Sequence, residues 1–140
     1  MKTRALDSRT LDSVVSGEAL PELAIPITAT LVVGGALASR DYTPVHHDKG
    51  AAQAQGMSDV FMNILTTNGL VGRFITDWAG PNATLRNVNI RLGTPNLPGD
   101  TMTLTGTIAS KQGDEVTVDV TGKNAWGNHV TGTVRVALAS

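Results

Sequence analysis

Alternation of apolar and polar residues after Pro81 is the feature that most limits how this chain can fold. Consecutive side chains of a β-strand point to opposite faces, so such alternation is typical of a strand with one buried face. The segments "ATLRNVNIRL", "TMTLTGTIAS", "EVTVDVTGKNA" and "HVTGTVRVALAS" read as four strands separated by turns. Residues that share one parity are Met102, Leu104 and Ile108, then Val116, Val118 and Val120, then Val130, Val134, Val136 and Leu138. We therefore expect an antiparallel sheet with one face in the core.

One long helical segment precedes these strands. The stretch "AAQAQGMSDVFMNILTTNGLVGRFITDWAG" has helical spacing at Val60, Ile64, Leu65, Val71, Phe74, Ile75 and Trp78. Gly56 lies near the predicted start, and Ser58 and Asp59 behind it are residues suited to capping. Gly80-Pro81 predicts the end of the helix. We expect this helix to pack on the buried face of the sheet.

The segment before the helix completes the predicted fold. Residues 1–24 show no sustained period and are interpreted as an arm, whereas residues 25–140 form a single domain. Ile25 to Ala38 is rich in β-branched residues and predicts a strand that bends at Gly34-Gly35. A strand, a turn, a long helix and four strands is the order of an α+β hotdog fold, a curved antiparallel sheet wrapped around one central helix. Such a unit leaves a sheet edge to cover, so pairing of two units is expected.

Composition excludes several classes of function. Eleven basic against twelve acidic residues give a formal net charge of −1 without a Lys/Arg cluster, so no nucleic-acid partner is expected. Cysteine is absent, which excludes disulfides and thiolate chemistry. The amino-terminal residues lack the apolar stretch of a signal peptide, and the most apolar run, residues 31–38, is far shorter than the ~20 residues of a membrane-spanning helix. We expect a cytoplasmic protein without a membrane partner.

Candidate chemistry lies in the segment "SRDYTPVHHD", Ser39 to Asp48. An aspartate and a histidine that a rigid turn holds close together can activate water, which makes Asp41 and His46 the candidate catalytic residues. Pro44 restricts the loop between them and disfavours helix at Thr43. The alternative is that His46 only stabilises the turn.

The other polar and aromatic candidates are assigned structural roles. His47 and Asp48 are expected to finish the loop and cap the next helix. His129 is interpreted as structural, since two adjacent histidines and one distant histidine make a weak metal site, and no metal is predicted. Trp78 and Trp126 are interpreted as core or interface residues.

The same turn resembles the signature of the MaoC-like (R)-specific enoyl-CoA hydratases. That signature is Asp, any residue, Asn, Pro, an aliphatic residue and His, followed by five residues and Ala or Ser. The positions that fit are Asp41, Pro44, Val45, His46 and Ala52. Thr43 stands where the family has Asn, and a threonine hydroxyl can form a hydrogen bond in its place. Arg40 stands where the family usually has Gly.

A wider resemblance covers residues from about 20 to the end. The segments "QGMSDVFMNILTTNGLVGRFITDWAGP", "IRLGTPNLPGD" and "GKNAWGNHVTGTV" look like the small MaoC-type subunit of the actinobacterial steroid side-chain hydratases. The resemblance implies hydration of an enoyl-CoA thioester, catalysed by Asp41 and His46, without a cofactor other than the coenzyme A of the substrate. It also implies that the Gly56 N–H, at the helix start, binds the thioester oxygen and that the chain pairs with a second MaoC-like subunit or with itself. Asn63 is a further candidate for substrate binding.

Two other functions stay open at this point. A hotdog thioesterase would also use a carboxylate and a helix amino terminus against an acyl-CoA. A non-catalytic subunit would only shape the acyl pocket of a catalytic MaoC-like chain. The presence of both Asp41 and His46 favours catalysis over that supporting role.

Overall fold

A computed structural model describes residues 7–140 as one curved sheet around a helix. Five antiparallel strands lie in the order β1-β3-β4-β5-β2. The strands are β1 (Leu23–Pro26), β2 (Thr84–Leu92), β3 (Thr101–Gln112), β4 (Glu115–Asn124) and β5 (Gly127–Ala137). The helices are α1 (Ala29–Ala38), α2 (Lys49–Ala54) and α3 (Ile64–Ala79), with 3-10 turns at Leu11–Ser13 and Pro44–His46. No helix in this described range is long and apolar enough to cross a bilayer.

The period-two prediction for the last three strands is confirmed. Every apolar residue that the sequence assigned to the shared face in β3, β4 and β5 is buried. The register aligns these residues across the sheet, with Ile108 opposite Val118 and Val118 opposite Val134. The inner face of the sheet is therefore a continuous apolar surface.

α3 packs against this apolar surface and completes the core. Its buried residues are Thr67, Val71, Gly72, Phe74, Ile75, Trp78 and Ala79. Gly106 in β3 lets the helix approach, because a Cβ there would lie 3.0 Å from Cε1 of Phe74. The predicted hotdog architecture, a sheet wrapped around one central helix, is confirmed.

The prediction of one strand from Ile25 to Ala38 is wrong. β1 ends at Pro26, and α1 begins at Ala29 after Thr28, whose side chain accepts a hydrogen bond from the Leu31 N–H at 3.0 Å. Val32 and Ala36, four residues apart, are buried. The β-branched residues favoured a strand locally, but capping and burial at helical spacing decide the structure.

The predicted bend at Gly34-Gly35 is a helix contact instead. A Cβ on Gly35 would overlap the Thr66 side chain, so only glycine lets α1 approach α3 this closely. Gly34 has open space around it. The pair therefore lies inside α1, where one member has a packing role.

The prediction of one continuous long helix is also wrong. α2 ends at Ala54, and Gly56 follows it with φ at +89°, a left-handed conformation that suits glycine. Residues 55–63 are irregular, and α3 begins after Asn63, not at Ser58 or Asp59. The predicted end is confirmed, because Gly80 is the C-terminal cap of α3 with φ at +87°.

The described part of the predicted arm packs on the domain. Thr10 forms a bridge with Ala139, and Ala19 forms one with Thr107. Val14 and Leu20 are buried in the core cluster. Lys111 on β3 donates hydrogen bonds to the carbonyls of residues 11 and 14 at 2.7 and 2.8 Å. The predicted residues 1–6 of the arm lie outside the described range.

The two adjacent glycines of α1 give a matched test of this packing. Gly35→Ala should lower the free energy of unfolding by about 1–3 kcal/mol, the usual cost of overpacking. Gly34→Ala should be neutral or stabilising by up to ~1 kcal/mol, because alanine favours helix and nothing crowds it. Urea denaturation of both variants checks this, and equal stabilities would contradict the close contact.

Candidate active site

The candidate turn begins where α1 ends. Ser39 Oγ donates to the Gly35 carbonyl at 2.7 Å, and the Asp41 N–H donates to the Ala36 carbonyl at 2.9 Å. Arg40 between them has φ at +56°, the one positive value of a non-glycine residue between positions 7 and 140. This left-handed conformation explains why glycine suits the position and why Arg40 departs from the pattern at some cost in strain. The α1 terminus thus fixes the backbone of Asp41.

Thr43 holds one oxygen of the Asp41 carboxylate. Its N–H and hydroxyl both donate to Oδ1 of Asp41, at 3.2 and 2.7 Å. Thr43 is not helical, with ψ at 125°, and Pro44 is the first residue of the following 3-10 turn. Proline disfavours helix in the residue before it, so the predicted effect of Pro44 on Thr43 is observed.

His46 lies against the same carboxylate. The ring is buried, and Nδ1 is 2.7 Å from the Phe61 carbonyl, which can only accept, so Nδ1 carries a hydrogen. In the neutral ring Nε2 is then an acceptor, and it lies 3.4 Å from Oδ2 of Asp41. The Phe61 ring contacts the imidazole edge-on, with centroids 5.0 Å apart. This arrangement leaves a proton-accepting nitrogen beside a carboxylate.

Hydrogen bonds keep Asp41 ionised. Donation from the Thr43 side chain, then from Asn63 and the Thr43 backbone, lowers the pKa of Asp41 to about 2. This pKa includes a smaller lowering by the nearby His46 and an opposing rise from desolvation. At neutral pH the carboxylate is therefore an anion that accepts hydrogen bonds.

Asn63 joins this cluster from the start of α3. Its Nδ2 lies 3.1 Å from Oδ2 of Asp41, and its Oδ1 accepts from the Thr66 N–H as the N-cap of the helix. The structure thus brings three of the predicted site residues together. The amide of Asn63 is engaged by protein groups, and the substrate contact assigned to it from the sequence stays a prediction.

Gly56 does not have the position predicted for it. It follows the end of α2 instead of opening a helix, and its N–H donates to the Gln53 carbonyl at 3.0 Å. Gly56 lines a separate open cavity of about 360 Å³ with Met57, Thr94 and Leu97. That N–H is bonded to the Gln53 carbonyl here, and the oxyanion contact assigned to it from the sequence stays a prediction.

The amino terminus of α3 offers backbone donors beside this cluster that the sequence analysis did not single out. Within residues 7–140, the N–H groups of Ile64 and Leu65 have no protein acceptor, as expected at a helix start. Asn63 caps this terminus and also contacts Asp41, so these donors belong to the same site. Asn63, directly before the apolar residues Ile64 and Leu65, was a capping signal that could have located the terminus.

The remaining polar and aromatic candidates are spread over the molecule. Asp48 accepts from the Ala51 N–H at 3.2 Å and caps α2, as predicted. His129 is buried between the Thr67 hydroxyl and the Thr94 carbonyl, at 2.8 and 2.6 Å, which agrees with a structural role. Trp78 is in the core, whereas Trp126 is 70% exposed and is not a core residue.

His47 is not part of a cluster of metal-ligating side chains within residues 7–140. His47 is exposed, and its Nε2 lies 3.2 Å from the Tyr42 carbonyl. No group of three or more potential metal-ligating side chains occurs in the part of the chain that the structure describes.

Comparisons of the sequence identify related proteins. The model of the MaoC like domain family matches residues 13–136 of this chain. The 3-oxo-4,17-pregnadiene-20-carboxyl-CoA hydratase beta subunit of Mycobacterium tuberculosis is 46% identical over 124 residues. That match covers 89% of this chain and 96% of the relative.

Solved structures show the same similarity. The crystal structure of the ChsH1-ChsH2 complex from Mycobacterium tuberculosis matches with a TM-score of 0.87 and 46% identity, over 89% of this chain and 98% of that chain. The unliganded R-hydratase PhaJ1 from Pseudomonas aeruginosa matches with a TM-score of 0.84 over 92% of this chain and 85% of that chain. Its identity is only 20%, so this second likeness shows the fold alone.

His129 should make stability depend on pH. Burial lowers the pKa of His129 below its usual value of 6.5, so the unfolded chain binds a proton more readily than the folded chain. Its contribution is therefore complete above pH 6.5 and is lost as the pH falls from there toward the lower folded value. Unfolding curves between about pH 7 and 5 should show a shallower decline for His129→Gln than for the wild type. An identical decline would contradict this role.

Proposed function

The chain belongs to the MaoC-like domain family, and from this membership we propose that it is a subunit of an enoyl-CoA hydratase. The reaction adds water across the α,β double bond of a coenzyme A thioester. The observation that carries the proposal is the 3.4 Å separation of Asp41 Oδ2 and His46 Nε2 on one rigid turn. Both groups are held by other protein atoms, so one water molecule can contact both.

Water activation is assigned to this pair. Nε2 of His46 accepts a proton from water, and Oδ2 of Asp41 accepts the hydrogen bond of the other water hydrogen. The positive ring that forms is stabilised by the ionised Asp41 and by the Phe61 carbonyl bonded to Nδ1. Asp41 therefore orients the water and stabilises the charge, while His46 moves the proton.

Addition then proceeds through an enolate. The water oxygen forms a bond to the β carbon, and the electrons of the double bond shift toward the thioester oxygen. The free N–H groups of Ile64 and Leu65 at the start of α3 are assigned to this oxygen, in place of the Gly56 N–H. Protonated His46 finally gives its proton to the α carbon. The product contains one added water, and no electrons leave the substrate, so the chemistry requires no cofactor.

The proposed substrate is a steroid side-chain acyl-CoA. The 46% identical relative is named for a pregnadiene carboxyl-CoA. Large apolar side chains near the turn in sequence or space are at least half exposed, namely Leu37, Tyr42, Ile64 and Leu65. A bulky apolar acyl group can pack against such a surface and remove it from water.

A second MaoC-like chain is the proposed partner. The crystal structure that matches this chain at 46% identity contains a complex of two named components. The partner would cover the exposed apolar residues and supply the rest of the acyl pocket. We place this assembly in the cytoplasm, where the sequence predicted the chain to reside.

Substitution of the catalytic pair tests the reaction. Asp41→Asn and His46→Ala should each lower kcat for hydration of 3-oxo-4,17-pregnadiene-20-carboxyl-CoA by ~10²-fold or more, the usual contribution of an acid-base group. The double variant should lose much less than the product of both effects, because the residues act as a unit. Chromatography of the 3-hydroxyacyl-CoA product measures the rate in the assembled complex.

Neighbouring residues provide the controls for this experiment. His47→Ala and Asp119→Asn change an adjacent exposed histidine and a distant exposed aspartate, and both variants should retain activity. Near-wild-type rates in folded Asp41→Asn and His46→Ala would rule out the assigned roles. Release of free CoA, detected with a thiol reagent, would instead identify a thioesterase.

Dependence on the partner forms a separate prediction. The chain alone should hydrate the bulky steroid substrate at least ~10-fold more slowly than the mixed complex, because half of the acyl pocket is missing. Crotonyl-CoA, with a short acyl group, should show a smaller difference between the two preparations. Light scattering defines the oligomer in each assay. A monomer with the full rate on the steroid substrate would contradict the two-subunit pocket.

A further inference from the structure

Asn63 is a buried polar residue whose hydrogen-bonding capacity is fully used. The side chain is 2% exposed. Its Nδ2 contacts Ser39 Oγ at 2.9 Å and Asp41 Oδ2 at 3.1 Å, while its Oδ1 contacts the Thr66 N–H at 3.0 Å and the Thr66 hydroxyl at 2.6 Å. An asparagine amide offers two hydrogens and two lone pairs, so all four positions are occupied by protein atoms.

The partners determine which way the amide points. The Thr66 backbone N–H can only donate, so it requires the oxygen of Asn63 on its side. The ionised Asp41 carboxylate can only accept, so it requires the nitrogen. A flipped amide would lose both bonds and place two acceptors against each other.

Ser39 fixes the second hydrogen of the same nitrogen. Its hydroxyl donates to the Gly35 carbonyl at 2.7 Å, which leaves the oxygen free to accept from Asn63 Nδ2. Gly35 in turn lets α1 approach the Thr66 side chain. Asn63 therefore joins the end of α1, the start of α3 and the candidate carboxylate in one network.

The two oxygens of Asp41 are held from opposite directions. Thr43 binds Oδ1 from within the turn, 2 residues along the chain. Asn63 binds Oδ2 from 22 residues away, and Oδ2 is the oxygen that faces His46 Nε2. Ser39, Thr43 and Asn63 are neutral, and His46 is the titratable group that contacts Asp41 within the described residues.

From this geometry we infer that Asn63 is a positioning residue, which holds Oδ2 of Asp41 at the place where the water must lie beside His46. The inference rests on the proposed catalytic role of Asp41. Asn63 itself touches no reacting atom, since its four hydrogen bonds go to the protein. Among residues 7–140, its loss leaves Thr43 as the only side chain that holds the carboxylate by a hydrogen bond, so the carboxylate can rotate away from His46.

The test is a double-mutant cycle between Asn63→Ser and Asp41→Asn in the complex with the partner chain. Serine is also a good N-cap, but it is too short to reach Asp41. Asn63→Ser should lower kcat by ~10- to 10²-fold, the cost expected when a reacting group is misplaced by about an ångström. KM should change less than about twofold, because substrate contacts are intact. On Asp41→Asn, the same substitution should have almost no further effect.

Thr28→Ala is the matched control. Thr28 caps α1 as Asn63 caps α3, but it is exposed and its side chain bonds only the Leu31 N–H. This variant loses a helix cap and should lower the melting temperature, while kcat stays at the wild-type value. Asn63→Asp is a further test variant, since it keeps the cap but places a second carboxylate against Asp41. It should reduce kcat more than Asn63→Ser does.

The outcomes separate the inference from the proposed function. If Asp41→Asn is slow and the double variant with Asn63→Ser is no slower, the result supports both the catalytic role of Asp41 and the positioning role of Asn63. If Asp41→Asn is slow and Asn63→Ser slows it by the same factor by which it slows the wild type, the positioning role alone is overturned. A wild-type kcat for Asn63→Ser also overturns it. Full activity of Asp41→Asn removes the catalytic role and the positioning role together.

Discussion

Burial of α3 in the curved sheet determines where every other part of the site lies. The apolar side of the helix, with Val71, Phe74 and Ile75, is held against the strands because that surface would otherwise face water. This packing fixes the amino terminus of α3, and Asn63 caps it. α1 then approaches the same terminus through the contact of Gly35 with Thr66. The turn that follows α1 thus brings Asp41 to a helix amino terminus, where an anion is favoured.

The charge distribution of the site follows from these contacts. Three donated hydrogen bonds, from Thr43 and Asn63, keep the pKa of Asp41 near 2, so this carboxylate is a poor proton donor at neutral pH. His46 has its Nδ1 hydrogen committed to the Phe61 carbonyl, which leaves Nε2 as the basic atom. The proton transferred during hydration is therefore assigned to the histidine, and the aspartate remains negative throughout. Two groups that looked interchangeable in the sequence thus have different tasks in the proposed mechanism.

The sequence correctly predicted the strands in which a regular alternation repeats. It missed the elements whose conformation depends on tertiary packing. Val116, Val118 and Val120 alternate because a sheet has one buried face, and they were placed correctly. α1 was read as a strand, because Val32 and Val33 favour strands and an all-apolar segment shows no helical period. Asp41 and His46 were found from spacing and resemblance, and their catalytic roles stay predictions. The Phe61 carbonyl could not be found, since every residue carries the same backbone carbonyl.

The site combines a complete polar network with apolar side chains that this chain leaves exposed, and this difference gives a second chain its role. The groups to which we assign water activation all come from this chain, within the network of Asp41, His46 and Asn63. The apolar groups around them are half open, and Leu37, Ile64 and Leu65 lack a cover among the described residues. In the proposed mechanism the proton-transferring groups are thus complete in one chain, whereas the binding surface for a rigid apolar acyl group is not. A weakened subunit contact should therefore raise KM before it lowers kcat, because the partner changes binding and leaves the proton transfer intact.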